Sequence, residues 1–115
     1  MEDKFLQQLK KGVLELLVLR LICDSPSYGY ELQKRLKEES GGLFQLKEGT
    51  LYPILYRLED DGLIESGWQQ GKGRAAPKKI YSATQKGRAE NLRRHALWQT
   101  FSETVSQFLE EKNHG

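Results

Sequence analysis

The 115-residue chain sets 18 Lys+Arg against 16 Asp+Glu and is 37% apolar, enough for one modest core. Its mean hydropathy of −0.67 and the Glu15 and Arg20 that interrupt its longest apolar run, Val13 to Cys23, exclude a bilayer span. The opening Met-Glu-Asp-Lys-Phe offers no signal-peptide hydrophobic region, Cys23 has no partner for an internal disulfide, and His95 and His114 complete no zinc-ligand spacing, so a cytoplasmic chain without metal or cofactor is expected.

Residues 1–11 read as an amphipathic lead-in with Phe5, Leu6 and Leu9 on one face. Residues 12–23 are apolar on nearly every side, which suits a helix surrounded by other elements. Asp24-Ser25-Pro26-Ser27 is a turn whose hydroxyls can cap a second helix from about Tyr28 to Glu39, with Tyr28, Leu32 and Leu36 recurring every four residues. On this pattern Tyr28 and Tyr30 are expected to be core and cap-flanking aromatics, and Lys34, Arg35 and Lys37 a solvated mixed face. Cys23 reads as a small buried hydrophobe.

Ser40-Gly41-Gly42 ends that helix, and a bridge over residues 43–47 leads to a third with Leu51, Ile54, Leu55 and Leu58 as its apolar stripe. Pro53 is compatible if the helix starts near Gly49 or Thr50, because a first-turn amide has no intrahelical partner to lose. Gly62 stops it. Residues 63–68 and 79–83 are strand candidates joined by a Gly- and Lys-rich tip, a hairpin. Thr84 is a candidate N-cap for a last helix running to about Lys112, in which Gly87 costs roughly 1 kcal/mol relative to Ala unless packing requires it.

The predicted class is therefore mainly α with a small β-hairpin: a winged helix-turn-helix over residues 1–86, followed by a C-terminal dimerisation helix over 87–115. In that architecture the third helix meets a DNA major groove and the hairpin wing lies along the adjacent backbone. Charge agrees with topology. Residues 67–88 hold Lys72, Arg74, Lys78, Lys79, Lys86 and Arg88 with no acid, leaving the remainder of the chain net negative. A solvated basic loop is the alternative reading of such a run.

Tyr28-Gly29-Tyr30-Glu31-Leu32, the block from Leu46-Lys47-Glu48-Gly49-Thr50-Leu51-Tyr52-Pro53 to Gly62-Leu63-Ile64, Arg74 with Lys78-Lys79-Ile80-Tyr81, and Thr84-Gln85-Lys86-Gly87, within about residues 12–90, together resemble the PadR family of bacterial transcriptional regulators. The resemblance implies a homodimeric DNA-binding protein, usually a repressor, here of the short branch with a single C-terminal helix. It implies no enzymatic activity. A departure lies in the wing, where Ala75-Ala76-Pro77 separates Arg74 from Lys78-Lys79 in place of the family's tighter basic run.

Candidate DNA-contacting residues are Lys47, Thr50, Tyr52 and Arg57 around the third helix, whose N-terminal amides suit phosphate oxygens, and Arg74, Lys78 and Lys79 in the wing. Thr50 could instead be a cap, Tyr52 a half-buried aromatic, and Arg57 a partner of Glu59, Asp60 or Asp61. Trp98, Phe101, Val105 and Phe108 recur at three, four and three residues, and with Leu109 they form a seam for a second subunit. Trp98 and Phe101 either anchor that interface or, as the resemblance suggests, hold a planar aromatic effector there. The expected function is a dimeric operator-binding regulator of its own operon, released by a small-molecule inducer; a winged-helix protein-interaction module without specific DNA readout is the alternative.

Overall fold

The computed structural model describes residues 3–111 and arranges them as five helices and a three-stranded sheet. The elements are α1 (Lys4–Lys11), α2 (Leu14–Asp24), β1 (Ser27–Tyr28), α3 (Gly29–Glu39), α4 (Glu48–Asp60), β2 (Ile64–Gln69), β3 (Lys78–Ala83) and α5 (Gln85–Leu109). Helix order follows the apolar periodicity. Val18, Leu19, Leu21 and Ile22 of α2 pack with Leu32 and Leu36 of α3 and with Leu51, Ile54, Leu55 and Leu58 of α4, while Leu63, Ile64, Tyr81 and Ala83 close the core from the sheet side. No helix among the described residues is long and apolar enough to cross a membrane.

Glycine sets two helix ends. Gly41, Gly42 and Gly62 take φ of 60°, 85° and 73°, the left-handed region that a residue without Cβ enters without strain. Gly87 answers to packing: a Cβ there would stand 1.9 Å from the carbonyl oxygen of Leu63, so the first turn of α5 lies directly on the chain entering β2. Thr84 caps that turn by accepting from the Gly87 amide at 3.0 Å, and its own hydroxyl donates to Gly62 O at 2.7 Å.

The structure corrects the sequence reading at four places. The sheet has a third strand, β1, paired antiparallel with β3 through Ser27↔Tyr81 and Tyr28↔Ile80, giving the order β1-β3-β2. Two residues are too few to show a period-two pattern. Second, the serine hydroxyls do not cap α3: Ser27 donates to Ser25 O at 3.0 Å and accepts from Arg35 at 2.7 Å, which removes Arg35 from the solvated face. Third, Tyr30 is 74% exposed, because Gly29, Leu32 and Leu36 form the buried stripe of α3 and Tyr30 lies off it. Fourth, α4 starts at Glu48, so Pro53 is its sixth residue and sits in the second turn. Proline removes the amide that would have bonded the carbonyl of Gly49, and that residue is exposed to water.

Helix α5 buries only Gly87. It lies against α2 and β3 near its start and then carries its remaining length outward, within a molecule 71 Å along its longest axis. The helix ends at Leu109; the predicted end near Lys112 lies outside the described residues.

Candidate nucleic-acid interface

Helix α4 turns Leu51, Ile54, Leu55 and Leu58 inward, which leaves two exposed flanks. Thr50, Pro53 and Arg57 form one, bordering a shallow groove with Lys11, Gly12 and Glu15 at the α1–α2 junction. Arg57 Nε meets Glu15 Oε1 at 2.5 Å, so its partner is 42 residues away and not the acids that follow it on α4. Both side chains are substantially exposed, and such a pair is worth about 1 kcal/mol or less, little enough for a phosphate to displace. Thr50 is exposed and is not the cap: Lys47 is the N-cap residue, and no side chain satisfies the amides there. The Thr50 amide donates to Lys47 O at 3.0 Å, which leaves the Glu48 and Gly49 amides to an oxygen acceptor, although Glu48 in the first turn sets a like charge beside any anion.

Tyr52 lies on the other flank, 39% exposed, with its hydroxyl end against Gly29, where an added Cβ would come within 3.0 Å. It faces a cleft of about 600 Å³ between α3, α4 and the wing, lined also by Tyr28, Tyr30, Glu31, Trp68, Lys78, Lys79 and Tyr81. The structure thus brings Tyr52 together with Lys78 and Lys79 and keeps Thr50 and Arg57 on the opposite flank of the same helix. Sequence reasoning missed the aromatic side of this cleft. Trp68 is 73% exposed at the far end of β2, and the signal that could have found it is its place as the first residue of the acid-free segment after Gly67.

The hairpin register assigns the wing side chains to faces. Trp68 pairs with Lys79 and Gln69 with Lys78, so the consecutive lysines leave β3 from opposite faces, and at the outer end of the sheet both still border the cleft that Tyr52 faces. Lys79 Nζ lies 5.8 Å from the Tyr81 ring and Lys78 Nζ lies 5.2 Å from the Tyr28 ring. Burial pushes the Tyr81 phenol up from its ordinary range, with Tyr52, Glu59 and Tyr56 adding to the shift. At the tip Lys72 and Arg74 are exposed, and a turn returns the Ala75 amide to Lys72 O at 3.1 Å. Gly71 is required there, since a Cβ would stand 2.2 Å from Ala75 O.

The basic segment divides. Lys86 donates to Asp61 O at 2.7 Å and Arg88 to Cys23 O at 3.3 Å, so these two cations tie α5 to the body, while Lys72, Arg74, Lys78 and Lys79 stay on the wing. Cys23 is half-buried, not fully buried as expected, with its thiol 3.9 Å from Gly87 O, and burial pushes its pKa up. No group of His, Cys, Asp and Glu among the described residues could hold a metal ion.

On α5 the seam residues are uncovered: Trp98 40% exposed, Phe101 62%, Val105 40%, Phe108 86% and Leu109 74%. At 100° per residue they fall within one stripe about 100° wide. The Trp98 and Phe101 rings are 6.2 Å apart at 32°. Glu90, nearer the start of the helix, accepts from Arg93 at 2.7 Å and Arg94 at 2.8 Å, and those bonds hold its carboxyl down to about 2.

Residues 18–93 match the model of the transcriptional regulator PadR-like family. Transcriptional regulator Rv3488 of Mycobacterium tuberculosis is 33% identical over 84 residues, 73% of this chain and 74% of its own length. The negative transcriptional regulator PadR of Bacillus subtilis is 32% identical over 78 residues, 68% of this chain and 42% of that protein. A PadR family transcriptional regulator from Eggerthella lenta superposes with a TM-score of 0.83 at 32% identity, over 94% of this chain and 91% of that one.

Proposed function

The chain belongs to the PadR-like family of transcriptional regulators, a family without enzymatic activity, and from that premise we propose that it is a homodimeric repressor that binds an operator in its own operon and is released by a small molecule. The observation that carries the DNA reading is the shared cleft, in which α4 presents Tyr52 across from Lys78 and Lys79 of the wing. A helix placed in a major groove with cations flanking it on a hairpin is the arrangement that meets bases and phosphates of one duplex. Lys47, Thr50 and Arg57 extend the surface along α4, and Arg74 extends it to the wing tip. Repression is supported by the name of the Bacillus subtilis relative.

Residues 1–86 act as the DNA-binding unit and residues 87–115 as the dimerisation region, in which α5 supplies the helix. The uncovered stripe of Trp98, Phe101, Val105, Phe108 and Leu109 supports a second copy, since five large apolar side chains on one helix face are costly in water. A planar aromatic effector stacks at Trp98 and Phe101 between the two copies and favours a spacing of the recognition helices that does not suit the operator. It acts only through unequal affinity for the two forms of the dimer. The test is a titration of duplex from upstream of the protein's own coding sequence against a shuffled duplex over a salt series. Tighter binding to the upstream duplex, with affinity falling as salt rises, supports the reading; salt-independent or absent binding to both assigns the fold to protein contacts instead.

A further inference from the structure

We propose that Tyr28 is a positioning residue for the wing: standing at the start of α3, it holds the Lys78 ammonium in place for a phosphate. The inference rests on the reading of the wing as a backbone contact.

The outer half of the hairpin has no core of its own. Burial along β2 stops after Ile64 apart from a half-buried Ser66, and along β3 it starts only at Lys79 and is complete only at Tyr81. Trp68, Gln69 and Lys78 are all exposed. Among the described residues, the side-chain ties from the helical body to this outer half both come from Tyr28. Its hydroxyl donates to Gln69 Oε1 on β2, and its ring lies under Lys78 Nζ of β3 at 5.2 Å.

Sheet order explains how one residue reaches both strands. β3 is central, so a side chain leaving β1 at Tyr28, opposite Ile80, crosses β3 beside Lys78 and arrives at Gln69, the partner of Lys78 on β2. Tyr28 is itself fixed, because its amide donates to Glu31 Oε1 at 2.9 Å within the first turn of α3. One residue therefore relates the α3 start to the position of a wing ammonium. A lysine free in solution has four rotatable bonds to immobilise on a phosphate, and a ring beneath the ammonium removes part of that entropy loss while leaving donors to face outward.

The test compares the wild-type protein with Tyr28→Leu, Tyr28→Phe, Lys78→Ala and the Tyr28→Leu/Lys78→Ala double variant, measuring affinity for a mixed-sequence duplex across a salt series. Lys78→Ala should reduce the salt slope by about one, the loss of a single phosphate contact. Tyr28→Leu should weaken binding about two- to fivefold, the scale of one cation–ring contact, with the slope unchanged because no charge is removed. Tyr28→Phe keeps the ring and should restore most of that loss. In the Lys78→Ala background, Tyr28→Leu should cost almost nothing further. An equal cost in both backgrounds, or no cost in either, overturns the positioning role; an unchanged slope in Lys78→Ala removes the phosphate reading beneath it. Should Tyr28→Leu fail to fold, the wild-type NMR spectrum decides: Lys78 Hε protons shifted upfield by the Tyr28 ring support the contact, and unshifted ones overturn it.

Discussion

Changing Phe101 and Phe108 together to Glu tests the dimer seam where its cost can be worked out. The two rings are 62% and 86% exposed in the single chain, so most of their burial must come from a partner. Scaling a full transfer of about 2.5 kcal/mol by those exposures gives about 1.5–2 kcal/mol per ring. Two-fold symmetry counts each ring twice, so roughly 7 kcal/mol of association free energy depends on this pair before ordering costs are subtracted. Even half of that amounts to between two and three decades in the dimer dissociation constant, and four carboxylates facing one another add to it. Sedimentation velocity at micromolar concentration should therefore show a wild-type dimer and a variant monomer. The fold should survive, because α5 buries only Gly87, and thermal unfolding of the winged region serves as the control. A variant that sediments as a wild-type dimer, with its fold intact, refutes the assignment of the seam.

Gly87→Ala should destabilise the protein by about 1–3 kcal/mol in urea denaturation, since the new methyl would meet the Leu63 carbonyl oxygen 1.9 Å away. The Glu90 carboxyl, held at about 2 in the folded chain against 4.5 ordinarily, contributes stability that is present above pH 4.5 and is lost as the pH falls toward 2. Glu90→Gln should thus lower the melting temperature slightly at pH 7 and not at pH 2, the effect kept small by solvent around the arginines. Tyr52→Ala should weaken operator binding more than binding to random duplex; equal losses assign Tyr52 to packing on Gly29. Trp98→Ala should abolish fluorescence quenching by a flat dye and its effect on operator affinity, and persistent quenching would leave Trp98 an interface anchor.

Long apolar stripes were the legible part of this chain. Leu51, Ile54, Leu55 and Leu58 identify both the helix and its inward face, and a glycine early in a long helix at position 87 is unfavourable unless packing requires it, as the Leu63 carbonyl does. What escaped were features decided by contacts remote in sequence. Arg57 pairs with Glu15 rather than with adjacent acids, and Arg35 turns inward to Ser27 across the α3 start. Likewise a block of six cations reads as one patch, whereas Lys86 and Arg88 find backbone carbonyls on the body and only four remain on the wing. β1 was invisible because a two-residue strand exists through its partner β3. The aromatic cleft follows the same rule, being assembled from β1, α3, α4, β2 and β3.

Hydroxyl-radical footprinting of the wild-type protein on its operator, with the number of bound chains taken from a parallel stoichiometric titration, tests the central claim most directly, because it reads the spacing of the two half-sites on one duplex. Two recognition helices on a two-fold axis should protect two half-sites on the same duplex face, about 10 base pairs centre to centre, with two chains bound per site. A single protected half-site at one chain per duplex, or no protection at concentrations that saturate binding, would contradict it.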